Sequence, residues 1–140
     1  GRDLARHDDA PGGVAVDLAA GTGAGAAGAD TLSGIEDLRG SAFADALRGD
    51  AAGNALDGGA GADTLDGRDG DDTLLGDGAA PDSADRITGG VGADRILELA
   101  AGGAADTVEG GTGRDTFVLA GLGGGVADTI LDFEAGAGGD

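Results

Sequence analysis

The chain has 140 residues, 33 of them Gly, and a formal net charge of −19 set against eight cations, all Arg. That sign opposes nucleic-acid binding, zero Cys removes disulfide staples and thiolate zinc sites, and no apolar run approaches the ~18 residues that span a bilayer. With three Phe and no Trp, Tyr or Met, the apolar interior is too lean to order so Gly-rich a backbone by itself. The chain is therefore disordered or held by something besides apolar burial.

In chain order, residues 1–24 read as a lead-in segment with one strand, VAVDL. Gly23, Gly25 and Gly28 then form a GxGxxG, but ADTLSGI follows it, with strand and turn character. A dinucleotide site needs a helix there, so the pattern carries nothing. From Gly25 the chain can be written in nine-residue words. Degenerate words fill 25–57: Gly25–Ser33, Gly40–Arg48 and Gly49–Asp57. Residues 58–131 hold the strong words: GGAGADTLD (Gly58–Asp66), GRDGDDTLL (Gly67–Leu75), GGVGADRIL (Gly89–Leu97) and GGTGRDTFV (Gly110–Val118). Looser words lie between and after them at Ala80–Thr88, Ala101–Glu109 and Gly123–Leu131. Residues 132–140 read as a truncated C-terminal strand or cap. The pattern runs into both ends, so the expectation is a piece of a larger protein.

Position six of successive words is Asp30, Asp45, Asn54, Asp63, Asp72, Asp85, Asp94, Asp106, Asp115 and Asp128. Position eight is Leu32, Leu47, Leu56, Leu65, Leu74, Ile87, Ile96, Val108, Phe117 and Ile130. Positions one to five are mostly Gly and Ala, which suit a tight turn. Positions seven to nine read as a three-residue strand with its middle side chain inward. Two words then make one coil, and stacked coils make two parallel sheets around a thin aliphatic filling. The fold class expected is all-β, two short-stranded parallel sheets stacked coil on coil.

Word n stacks on word n+2, so the position-six acids form two rows, one on each edge. Such rows would repel. Hard dications between coils reverse the sign, and Ca2+, with six to eight oxygen ligands at flexible geometry, suits turns of short Asp side chains and carbonyls. Metal binding then becomes folding free energy. Beyond Asp72 the extra residues all precede Asp85, Asp106 and Asp128, on the edge of Asp63. The edge of Asp72, Asp94 and Asp115 keeps tight turns. On the looped edge the insertions either abolish the ion sites or bulge past them.

These words resemble the GGxGxDxUx nonapeptide of RTX (hemolysin-type) calcium-binding proteins. The Gly12–Asp50 stretch is similar to segments that interrupt such arrays, and DTILDFEAGAGGD to the strand that follows the last repeats. The resemblance implies a right-handed parallel β-roll in a secreted bacterial protein, exported unfolded by a type I pathway and folded by extracellular Ca2+. It implies one site from Arg68, Gly70 and Asp72 with Gly89, Val91 and Asp94. It implies a second from Gly90, Gly92 and Asp94 with Gly110, Thr112 and Asp115. A third would use Ser41, Phe43 and Asp45 with Gly58, Ala60 and Asp63. Asn54, facing Asp72, keeps a ligand oxygen but removes a charge.

Other signals are weaker. Asp69, Asp71 and Asp72 start like an EF-hand, but Gly is missing at loop position six and Ala80 stands at position twelve. His7 is the only His and reads as solvated loop. A P-loop needs Lys. Periodic carboxylates are unlike a catalytic pair, and Asp8, Asp9, Asp37 and Asp50 read as solvated charges or turn caps. The expectation is a non-catalytic module whose partners are Ca2+ and neighbouring domains of the parent chain. The alternative is a roll that binds an extracellular polysaccharide or protein beside a catalytic domain.

Overall fold

The structure, a computed structural model, describes residues 1–26, 28–77, 83–98, 104–119 and 128–132. Most of the three long loops, and the expected C-terminal strand after Asp132, lie outside the described residues. Those described form strands and turns with no helix among them, and none is long and apolar enough to cross a membrane as a helix.

The strands are β1 Leu4–Arg6, β2 Val14–Asp17, β3 Thr22–Gly25, β4 Gly28–Thr31, β5 Asp37–Arg39, β6 Ala46–Arg48 and β7 Ala55–Gly59. They continue as β8 Thr64–Asp69, β9 Thr73–Asp77, β10 Arg86–Val91, β11 Arg95–Glu98, β12 Thr107–Thr112, β13 Thr116–Leu119 and β14 Thr129–Ile130. One sheet has the order β1-β5-β7-β9-β11-β13, the other β14-β12-β10-β8-β6-β2-β3-β4. Odd and even strands from β5 onward thus alternate between sheets, and each pairs in parallel with the strand two places on. Register follows the words: Leu65 aligns with Leu47 and Ile87, and Leu74 with Leu56 and Ile96. The chain is a β-roll, two words to a coil.

The core is a single file on each sheet. Leu47, Leu56, Leu65, Leu74, Ile87, Ile96 and Val108 are buried, as position eight requires. Val14, Val16 and Leu38 join them, and Leu32 and Phe117 pack against the cluster half-buried.

Three expectations change. First, β7 to β13 are longer than three residues. In β8 the burial alternates so that Gly67 faces inward two places after Leu65, and Gly89 in β10 does the same. Position one thus belongs to the strand, which in β8, β10 and β12 runs on to position three. Second, Gly25–Ser33 is no coil. β2, β3 and β4 run antiparallel, as a meander on the end of the larger sheet. The Gly spacing there serves hairpins: Gly21 takes φ 65° in a turn where its N–H meets the Leu18 carbonyl, and Gly25 and Gly28 flank the next reversal. Third, the lead-in holds β1 and β2 and most of β3, not one strand, because Leu4–Arg6 pairs in parallel with β5.

The word the meander displaces reappears as Thr31–Arg39, with Gly34 at φ 67°, Glu36 at position six and Leu38 at position eight. Glu36 stands nine residues before Asp45, so the nine-residue step alone points to it. Its Glu in place of Asp conceals the word from a pattern built on Asp.

Candidate metal centre

From Asp45 to Asp115 the position-six side chains do not face solvent, whereas Asp30, in β4, and Asp128 are exposed. Asp45, Asn54, Asp63, Asp72, Asp85, Asp94, Asp106 and Asp115 are all buried. The reason is local. The strand passes through position one, where a Gly faces inward, and the carboxylate folds back into the space a Cβ would fill. A Cβ on Gly67 would sit 2.5 Å from the Gly89 carbonyl oxygen and still nearer to Asp72 Oδ2. One on Gly89 would meet the Gly110 carbonyl at the same distance, and Asp94 Oδ2. The turn itself needs positive φ at positions two and four, supplied for example by Gly90 (118°) and Gly92 (146°).

Each carboxylate ties two coils. Asp94 Oδ1 accepts the N–H of Asp72 at 2.9 Å, and Asp115 Oδ1 accepts that of Asp94 at 2.9 Å. Asp72 Oδ1 accepts from Asn54 at 2.7 Å. On the looped edge Asp63 accepts from Asp45, Asp85 from Asp63, Asp106 from Asp85 and Asp128 from Asp106, at 2.7–3.1 Å. The row ends where Asp45 Oδ1 accepts the N–H of Val14, an apolar residue at the equivalent place. On the tight edge Glu36 extends the row, its Oε2 accepting the N–H of Asp3 at 2.8 Å. Asp132 adds an acid outside the motif, bonded to the N–H groups of Gly110 and Gly111.

The second oxygen is left over. Asp63, Asp72, Asp85 and Asp94 each have a buried Oδ2 with no hydrogen-bond partner. A buried acceptor without a partner is costly, more so when charged. Burial pushes the Asp85 carboxyl up to about 8, Asp63 to about 7, and Asp72 and Asp94 to about 6. The accepted N–H opposes this, and neighbouring carboxylates in the row reinforce it. Asp45 differs: Ser41 fills both its oxygens, with its N–H at 2.5 Å and its hydroxyl at 2.9 Å. Asn54 also has none to spare. Its Oδ1 accepts the N–H of Asp50 and its Nδ2 donates to the Glu36 carbonyl, each at 2.8 Å.

The structure brings the expected residues together across single gaps. Arg68, Gly70 and Asp72 face Gly89, Val91 and Asp94, with Gly70 N–H donating to the Val91 carbonyl at 2.8 Å. Gly90, Gly92 and Asp94 face Gly110, Thr112 and Asp115, with Gly92 N–H donating to Thr112 at 2.9 Å. Ser41 and Asp45 face Ala60 and Asp63, through Ala60 N–H to the Ser41 carbonyl at 3.3 Å. Each such carbonyl keeps a second lone pair. Among the described residues no three His, Cys, Asp or Glu side chains converge as a metal cluster. The donors at each gap are instead turn carbonyls with one carboxylate per coil. Hard oxygen donors, two of them anionic and at least one oxygen unpartnered, fit Ca2+.

A pH signature follows. The native carboxyls titrate above their unfolded value near 3.9, so protonation favours the metal-free coil. That stabilisation is complete at acid pH and is lost as pH rises through about 6 to 8. Ca2+ needs the ionised form, so its affinity runs the other way, rising over the same window with proton release. Calorimetry in buffers of different ionisation enthalpy should show protons released on Ca2+ binding near pH 6.5, and fewer near pH 8.5. No buffer dependence at either pH would contradict it.

The RTX calcium-binding nonapeptide repeat family matches the chain in four copies, over residues 31–61, 48–80, 82–97 and 98–120. The first copy starts at Thr31, the word containing Glu36. No curated protein matches the chain.

Proposed function

The chain belongs to the RTX calcium-binding nonapeptide repeat family, and on that premise we propose that Ca2+ fills the gaps between its coils and couples binding to folding. It is a Ca2+-binding β-roll module. The observation that carries the proposal is the buried carboxylate row in which Asp63, Asp72, Asp85 and Asp94 each leave one oxygen unpartnered. The sites are those implied by Arg68, Gly70, Asp72, Gly89, Val91 and Asp94, and by Gly90, Gly92, Asp94, Gly110, Thr112 and Asp115. Without ions, like charges one coil apart oppose stacking. With them, each carboxylate binds the coil before it by hydrogen bond and the gap by metal.

The biological reading is a non-catalytic secretion and scaffold module of a bacterial extracellular protein. At low Ca2+ the charge of −19 keeps the chain expanded and fit for export. Outside, it condenses and supports a neighbouring domain.

A single substitution tests the row. Asp94 serves two gaps, so Asp94→Ala should raise the Ca2+ midpoint of folding by at least about tenfold. Asp9→Ala removes an exposed acid and should leave it unchanged. Asp37 is not a neutral control, since it pairs with Arg2 and accepts the N–H of Ala55. Equal midpoints for the Asp94 and Asp9 variants would remove the ion row.

A further inference from the structure

Position two of the turn is Gly90 and Gly111 in two coils of the tight edge, but Arg68 in the coil before them. Arg68 has φ 75° and is the only non-Gly residue with positive φ among the described residues. A side chain there is strained where Gly would not be. The side chain makes three bonds in return. Nη1 donates to Asp17 Oδ1 and to the Gly49 carbonyl, each at 2.9 Å, and Nη2 donates to Asp17 Oδ2 at 2.6 Å. Gly49 is one coil back, in the β6–β7 turn. Asp17 is two coils back, at the end of β2, which pairs with β6. The guanidinium therefore sits among hard oxygens of the first two coils.

The other side chain facing that gap is also a donor. Asn54 replaces the Asp of position six and points its Nδ2 at the Glu36 carbonyl, 2.8 Å away. One and two coils further on, Asp72 and Asp94 present the opposite chemistry, an acceptor with no partner. The ion pairs Arg2–Asp37, Arg39–Asp8, Arg39–Asp57 and Arg68–Asp17 all lie in the N-terminal coils, before the first of those two.

We propose that the guanidinium of Arg68 is a built-in cation, closing the first gap of the tight edge by occupying a Ca2+-type oxygen set made by the Asp17 carboxylate and the Gly49 carbonyl. The exchangeable ions of that edge then begin one coil later, at Asp72. Arg68 plays two parts: its backbone carbonyl faces the gap toward Gly89 and Asp94, and its side chain fills the gap behind. In the folded roll that gap therefore needs no ion of its own and offers the rest of the stack a finished edge. The inference rests on the Ca2+ reading above.

The experiment counts bound Ca2+ per chain by equilibrium dialysis. Arg68→Gly frees the oxygen set and places at this position the residue its neighbours use, so the backbone is suited to it. It should bind one ion more than the wild type. Arg68→Gly combined with Asp17→Asn should return to the wild-type count, and Arg68→Lys, which keeps a cation, should not depart from it. An unchanged count in Arg68→Gly overturns the proposal. An extra ion that survives Asp17→Asn, or that appears in Arg68→Lys, overturns it as well. A wild-type chain that binds no Ca2+ fails the earlier reading instead.

Discussion

Chelating Ca2+ at neutral pH is expected to abolish the cooperative melt of this chain and return its far-ultraviolet circular dichroism to that of an expanded coil. The cause lies first in the core. Among the described residues the ten buried apolar side chains are Val, Leu and Ile, one inward residue per strand for most of the roll. No strand can bury that face without the coil before and after it, so stability is a sum over neighbouring interfaces rather than a property of any coil. Each interface also carries a penalty. Between the coils of Asp72 and Asp94, and again between those of Asp63 and Asp85, buried carboxylates face one another with oxygens that no donor reaches. A dication converts the largest unfavourable contribution at each interface into a favourable one. Its effect is repeated along the stack, so chelation should act on the whole cooperative unit and not on one turn. Circular dichroism melts in excess chelator and in millimolar Ca2+ decide the matter. A compact, sharply melting chain in chelator, with no bound metal detected, would exclude cohesion by metal. Lowering the pH in chelator should partly restore structure, because protonation removes the same penalty.

Much of this is legible in the sequence because the repeat puts chemistry and geometry in register. The two-residue offset from Asp to the aliphatic residue locates both the strand and the row of acids, and the order of insertions separates the tight edge from the looped one. Whatever breaks the register is hidden. Glu36 takes the place of Asp at position six, and Leu38 fills the core behind it, yet a Gly-rich meander stands ahead of them and mimics a word. Glycine alone cannot distinguish a hairpin from a nonapeptide turn, since both need positive φ. Long-range pairs are equally hidden. Nothing local joins Arg68 to Asp17, 51 residues earlier, until the coils are stacked. Position one has the composition of a turn residue, but its Gly is needed for a different reason, which the next substitution isolates.

Gly89→Ala is expected to destabilise the Ca2+-loaded roll by about 3 kcal/mol or more, the range of severe overpacking. The backbone gives no reason for a loss: Gly89 does not lie at positive φ, and at a compatible position Gly→Ala usually stabilises by about 0.4–1 kcal/mol. Any loss therefore reports steric contact. The new Cβ would stand 2.5 Å from the Gly110 carbonyl oxygen of the next coil and nearer still to Asp94 Oδ2. The carboxylate could swing aside, but only by breaking its bond to the Asp72 N–H. The carbonyl cannot move without shifting the next strand. Either response widens a gap that the ion must span, so the Ca2+ midpoint should rise together with the loss of stability. Gly34→Ala is the comparison. Gly34 has φ 67°, and a methyl added there would meet nothing within 4 Å, so that variant tests backbone strain alone, at about 1–2 kcal/mol, with the ion gaps untouched. If the two variants melt alike and require the same Ca2+, the carboxylate is not seated in the space that position-one glycine leaves. The link from glycine to carboxylate to ion would then be broken at its first step.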